Sequence, residues 1–403
     1  MICMELAASR SRAPSPEAEL LLCCLHTGYV GVTDRIQALV TGGVDWELLL
    51  RMAGEHGVIP LLARRLERFE DSVPSYVLER LRIVARQSKL RNLTLAGELL
   101  SLLKLFERHD IPVVPYKGPV LAATIYGDLA SRKPGDLDLL LRPEDVRRAR
   151  ALLLDREYEP MYRLETGQES ALFRFEREYG LTHRDTGVDV ELQWSVMPRQ
   201  FSFPLDVEAL RGRLQRVNFG GTEVRTISPE DLLLILCVHG SKHFWERLQW
   251  VCDVAETLRA HPELDWERLV ERASRLGGRR ILFLGLLLAN ELLGAELPAG
   301  IVRSVRTEPE VEALAREVYG WLFEDSGDSR ELLEGSAFSY FHFRARERLC
   351  DRLLYWARTA VTPNYGDWQD APLPERLFSV YYLLRPLRLA RKYGKRLYCL
   401  IAR

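Results

Sequence analysis

An α+β fold is predicted for this chain of 403 residues, a small mixed β-sheet core flanked by N-terminal and C-terminal helical regions. Three observations predict it. Up to about residue 104, and again from about residue 227, apolar residues recur at helical spacing. Between those regions lie short β-branched or alternating runs bounded by Gly, Pro and Asp, at Ile111–Gly118, Asp136–Arg142 and Gly187–Val196. The length also suits two to three units. The expected division is 1–104, 105–226 and 227–403.

In chain order, Pro14, Ser15 and Pro16 form an irregular lead, and Asp45 is placed to cap a helix continued by Trp46, Glu47 and the leucines after them. Residues Glu79–Phe106 read as one long helix ending near His109 and Asp110. The run Ile111–Gly118 (IPVVPYKG) reads as a strand, with Pro119 opening a short helix. After a polar loop, Asp136–Arg142 (DLDLLLR) is a second strand whose leucines mark a buried end. Pro143, Glu144 and Asp145 open a helix to Leu154. Residues 158–194 read as further strands. In GVDVELQWSV, Asp189, Glu191 and Gln193 share one face, and Val188, Val190, Leu192 and Trp194 the other. A hairpin is expected around Asn218–Gly221, and Ser228-Pro229-Glu230-Asp231 is an N-cap with proline at the first helical position. Only helical patterns follow. The most apolar, Ile281–Leu293, is too short to span a bilayer and reads as a buried core helix.

Lys plus Arg number 56 and Asp plus Glu 57, so the net charge of −1 gives no general attraction to nucleic acid or membrane. A polyanion contact must be local. Arg385–Arg403 carries seven basic residues, no acidic ones, and Tyr393 and Tyr398. It can meet RNA, a phosphorylated substrate or an anionic membrane face, or be a terminal helix with a solvated basic face. The seven cysteines are irregularly spaced and form no C-x-x-C pair, which argues against a zinc site or a disulfide framework. Glu5 precedes any apolar run, so no signal peptide is read. A cytoplasmic protein without a transmembrane segment is expected.

The chemistry lies in the middle third. Asp136 and Asp138 flank one residue at the start of a strand, which puts both carboxylates on one face. Like charges that close repel unless a cation neutralises them, and Mg²⁺ takes such oxygen ligands alongside phosphates. The plainer reading of a D-x-D pair is turn or capping chemistry. Context favours the metal: three leucines fix the strand, the turn at Lys117-Gly118 opens a helix whose backbone N–H groups can receive phosphate oxygens, and Arg132 and Lys133 can hold a triphosphate. Asp189 and Glu191 compete to supply a third carboxylate. Two metals on three carboxylates can orient an attacking hydroxyl and stabilise leaving pyrophosphate.

The segment from Tyr116 to Pro160 resembles the polymerase-beta-like nucleotidyltransferase superfamily, and within it an uncharacterised bacterial nucleotidyltransferase family. The resemblance rests on Lys117-Gly118, Arg132, Asp136-x-Asp138 and Tyr158. It continues at VELQW, where Glu191 and Trp194 match and Gln193 stands in place of a histidine. It resumes at HGSKHFWERLQWVCDVAETL with His239, Lys242, His243, Trp245, Leu248 and Asp253, and covers about residues 90–260. The resemblance implies transfer of a nucleoside monophosphate from an NTP, ATP favoured, to an unknown acceptor hydroxyl or phosphate. Asp136, Asp138 and Glu191 would be the catalytic and metal residues for two Mg²⁺ ions. Lys117, Gly118, Arg132 and Lys242 would bind the nucleotide.

The superfamily usually has Gly-Ser where this chain has Lys117-Gly118. That departure and Gln193 motivate an alternative, a catalytically impaired nucleotide- or partner-binding protein on the same fold. A third option is an antitoxin-like enzyme that modifies a protein hydroxyl or an RNA end. His239 and His243 share a helix face, but Gly240 rules out an HExxH metal motif, so packing or hydrogen bonding near the cleft is expected. Asp253, in an apolar stretch, calls for a partner such as Arg247 or another base.

Overall fold

Five short strands build the central sheet: β1 (Val113–Pro115), β2 (Leu137–Leu141), β3 (Tyr158–Pro160), β4 (Glu178–His183) and β5 (Asp189–Gln193). Their spatial order is β1-β2-β5-β4-β3. β2 and β5 run parallel and the other neighbours antiparallel, so the sheet is mixed. The computed structural model describes residues 14–26, 28, 31–162, 166–198, 201, 203, 205–323, 340–371 and 373–401. Beyond β7 (Thr222–Thr226) these residues form helices and connections. The fold class is α+β, as the sequence patterns imply.

Period two decides what each face of β2 meets. Leu137, Leu139 and Leu141 join one buried cluster with Val190 and Leu192 of β5 and with Leu95, Leu99, Leu102 and Phe106 of the long helix Ser75–Arg108. Leu140 points the other way, into a second and larger cluster. That cluster holds N-terminal helices such as Trp46–Glu55 together with Pro229–Lys242, Leu248–Ala260 and Arg279–Leu293. Asp138 shares the parity of Leu140, so its carboxylate lies on the face turned toward those helices. The long helix joins the two clusters, with Val77, Leu78 and Leu81 in the larger one.

The capping expectations correspond to formed bonds. Asp45 Oδ1 accepts from the Leu48 N–H at 3.0 Å, and Ser228 Oγ from the Asp231 N–H at 3.4 Å. The hairpin of β6 (Gln215–Phe219) and β7 pairs Val217 with Val224. Its turn residues Gly220 and Gly221 have φ of 58° and 78°, the left-handed pair that a two-residue turn of this twist requires. The apolar run Ile281–Leu293 lies within the helix Arg279–Leu293, most of which is buried. Among the described residues no helix is long and apolar enough to cross a membrane.

Candidate functional site

Three elements meet at one spot. β1 leads into Tyr116, Lys117 and the turn that opens the helix Gly118–Thr124; β2 begins just after Asp136; β5 lies beside β2 with Asp138 opposite Glu191. The parallel register brings Glu191 to the aspartates. One oxygen from each of Asp136, Asp138 and Glu191 lies within 4.8 Å of the others. Asp189, the competing carboxylate, is outside this group and accepts from Thr182 Oγ1 at 2.7 Å. Gly118 secures the turn. Its φ is +57°, and an added Cβ would stand 2.6 Å from the Asp136 carbonyl oxygen, so only glycine lets the two segments approach.

Lys117 Nζ donates to Asp138 Oδ1 at 3.0 Å and lies 5.0 Å from the Tyr116 ring centre. Gln193 Nε2 donates to the same Asp138 oxygen at 3.0 Å and to Glu191 Oε2 at 2.7 Å. The buried Tyr116 hydroxyl donates to Gln193 Oε1, which fixes the amide with its NH₂ toward the carboxylates. The residue that departs from the family histidine thus tethers two acidic groups.

The electrostatics follow from crowding and burial. Asp138, and then burial, raises the pKa of Asp136. Burial, followed by Asp138, Glu178 and Asp136, pushes Glu191 up to about 8. Burial opposes the charge on Lys117, but Asp138 and then Tyr116, Asp136 and Glu191 outweigh it, and its pKa lies well above the ordinary value. Such a cluster favours a cation. Three hard oxygen donors from separate carboxylates are the set that Mg²⁺ takes, so these residues fit a divalent ion.

Other expected nucleotide-binding residues lie differently. The Arg132 guanidinium forks onto Asp253, with Nε and Nη2 each 2.9 Å from a carboxylate oxygen, and Tyr126 donates to Asp253 at 2.7 Å. Asp253 therefore has the basic partner its burial demanded, and that partner is Arg132, committed to the loop before Asp136. Lys133 is exposed. Lys242 ends the helix Pro229–Lys242, and its charge acts on Glu176 and His243.

His239 and His243 have ring centres 4.8 Å apart, and His243 lies 5.1 Å from Trp250. Burial, then Lys117, lowers the His239 pKa well below its usual range, and burial with Lys242 takes His243 to about 3. Both rings stay neutral near pH 7, packed as aromatic groups against Trp250. Phe244 and Trp245 then adopt φ of 57° and 56°. Trp245 is fully buried and seated where Gly240 leaves room, since a Cβ there would stand 2.6 Å from the ring.

Of the basic stretch 385–403, Arg385 and Arg388 are both paired with Asp367, at 2.5 and 2.6 Å. The side chains of 392–403 lie outside the described residues.

Tyr116, Glu176 and Glu178 also belong to the site, and the sequence patterns did not single them out. Glu178 lies opposite Gln193 in the β4–β5 pairing, information that strand register alone carries.

A search of the curated proteins finds no match. Among solved structures, an antigenic nucleotidyltransferase-like protein from Paracoccidioides brasiliensis is similar over 53% of this chain and 96% of its own length, with 14% identity and a TM-score of 0.30. Residues 42–294, well over half of the chain, match the family described as uncharacterised nucleotidyltransferase, and the chain belongs to that family.

Proposed function

We propose that the protein is a Mg²⁺-dependent nucleotidyltransferase that moves a nucleoside monophosphate from an NTP, with ATP favoured, to an acceptor hydroxyl or phosphate. The observation that carries this reading is the convergence of Asp136, Asp138 and Glu191 within 4.8 Å, in a chain of this family. A bound divalent cation supplies charge neutralisation for the triphosphate and the leaving pyrophosphate. Asp136 just before β2, Asp138 on β2 and Glu191 on β5 would hold it. The Gly118 turn presents backbone N–H groups to phosphate, and Lys242 adds a point charge from the facing helix. Arg132 serves by anchoring the Asp136 loop to Asp253. Residues 105–226 form the catalytic unit, and 227–403 the acceptor side. A cytoplasmic site of action suits an NTP substrate.

A second reading, a nucleotide- or partner-binding protein without turnover, is favoured by one observation: Lys117 already neutralises Asp138 at 3.0 Å. Mg²⁺-dependent pyrophosphate release, compared between the native chain and Asp138→Ala, separates the two. Turnover lost in the variant supports transfer. Equal background in both supports binding alone.

A further inference from the structure

We propose that Lys117 fills the place of a second metal ion, so that the centre takes one divalent cation rather than the pair expected from the family resemblance. The inference rests on the transferase reading and adds a metal count to it.

The oxygens can be followed one by one. Asp138 Oδ1 accepts from both Lys117 Nζ and Gln193 Nε2, each at 3.0 Å. Glu191 Oε2 accepts from Gln193 Nε2 at 2.7 Å. Gln193 cannot turn its amide away, because the Tyr116 hydroxyl holds the other end. Both tethered carboxylates are thereby left with one uncapped oxygen. Two dications about 3.5–4 Å apart need a carboxylate that reaches both. Asp138 is the most deeply placed of the three, with 3% of its surface exposed, and with Oδ1 already accepting two hydrogen bonds it has one oxygen left for a metal.

Charge gives the same answer. With all three carboxylates ionised, as ligation of a metal requires, they and one ammonium sum to −2, the charge that a single divalent cation cancels. The Lys117 side chain is only 11% exposed, and its Nζ lies 3.0 Å from Asp138 Oδ1. A buried ammonium that has lost its water has no cheaper partner than Asp138. It therefore remains as a fixed cation of the site, where a compact point charge can do part of a metal ion's work.

The test uses Mn²⁺ as the probe, with the full chain and a non-hydrolysable ATP analogue, read by electron paramagnetic resonance and by bound-metal stoichiometry. The native chain is expected to hold one Mn²⁺ in the protein site, with no exchange-coupled pair. Lys117→Met, neutral and of similar length, is expected to raise the count from one to two and to produce the coupled signal. A coupled pair in the native chain, or a Lys117→Met protein that still holds one ion, overturns the inference while leaving the transferase reading in place. No Mn²⁺ bound at the carboxylates would overturn the metal reading itself. Should the variant fail to fold, the native spectrum decides alone.

Discussion

Lys117 and Asp138 form a nearly dry ion pair, 3.0 Å from Nζ to Oδ1, at the centre of an otherwise acidic cluster. Removing one partner of a buried pair typically costs about 3–5 kcal/mol, because the other charge stays behind without compensation. For Lys117→Met in the presence of a chelator we expect a loss in that range, measured by urea unfolding. Saturating Mn²⁺ should restore most of it, since the ion then neutralises what the lysine did. A loss that Mn²⁺ leaves unchanged would show that the lysine acts through packing and not charge.

Gly118 joins two parts of the site through backbone alone. Alanine there must adopt φ near +57° and set its Cβ 2.6 Å from the Asp136 carbonyl oxygen, which has no flexible end to move aside. The left-handed conformation alone costs about 1–2 kcal/mol for an L-residue. Gly118→Ala should therefore lower the unfolding midpoint and weaken Mn²⁺ binding together, because the strain relaxes by displacing Asp136. Calorimetric titration that returned the native affinity would remove Gly118 from the site's architecture.

Arg132 and Asp253 tie the loop before β2 to the helix Leu248–Ala260, across 121 residues of sequence. With both side chains buried, Asp253→Asn leaves a guanidinium without its counter-charge and should cost about 3–5 kcal/mol. Replacing both, Arg132→Met with Asp253→Leu, should recover much of that loss in chemical denaturation. Arg132→Lys should behave poorly, since one ammonium cannot make the forked contact. If Arg132 instead held triphosphate directly, the double variant would be stable and unable to bind nucleotide, which equilibrium binding of a fluorescent ATP analogue would reveal.

How far the residues announce this arrangement depends on the range of each interaction. The leucines of β2 and the D-x-D alternation are local, and period two alone puts Asp136 and Asp138 on one face. The helix caps at Asp45 and Ser228 are equally local. The pairing of Asp138 with Glu191 needs the parallel register of β2 and β5, which joins residues 53 apart by numbering and has no sequence signature of its own. The family resemblance, not the pattern, favoured Glu191 over Asp189, and the two differ in the fold because Thr182 takes Asp189. Arg132 read as a phosphate ligand because it lies with Lys133 just before the acidic pair and matches the family pattern. Its commitment to Asp253 depends on how the C-terminal helices pack against the sheet, and nothing near Arg132 in the chain encodes that.

The site should also be legible in the pH dependence of stability through Glu176, which precedes β4 and faces Lys242. Burial, and then Glu178, pushes its pKa up to about 7 from an ordinary 4.5, while Lys242, Arg385 and Arg177 pull it down. Between pH 4.5 and 7 the folded chain holds this proton more often than the unfolded chain does. Stability from this group is therefore fully present below the unfolded value and is lost as pH rises through the folded one. Other carboxylates impose their own slopes, so the informative quantity is the difference between the native chain and Glu176→Gln, an uncharged neighbour for Lys242 at every pH. Thermal unfolding across that window should show the native midpoint falling relative to the variant as pH rises, with the difference levelling off above pH 7. A constant difference would mean that Glu176 titrates as an ordinary glutamate.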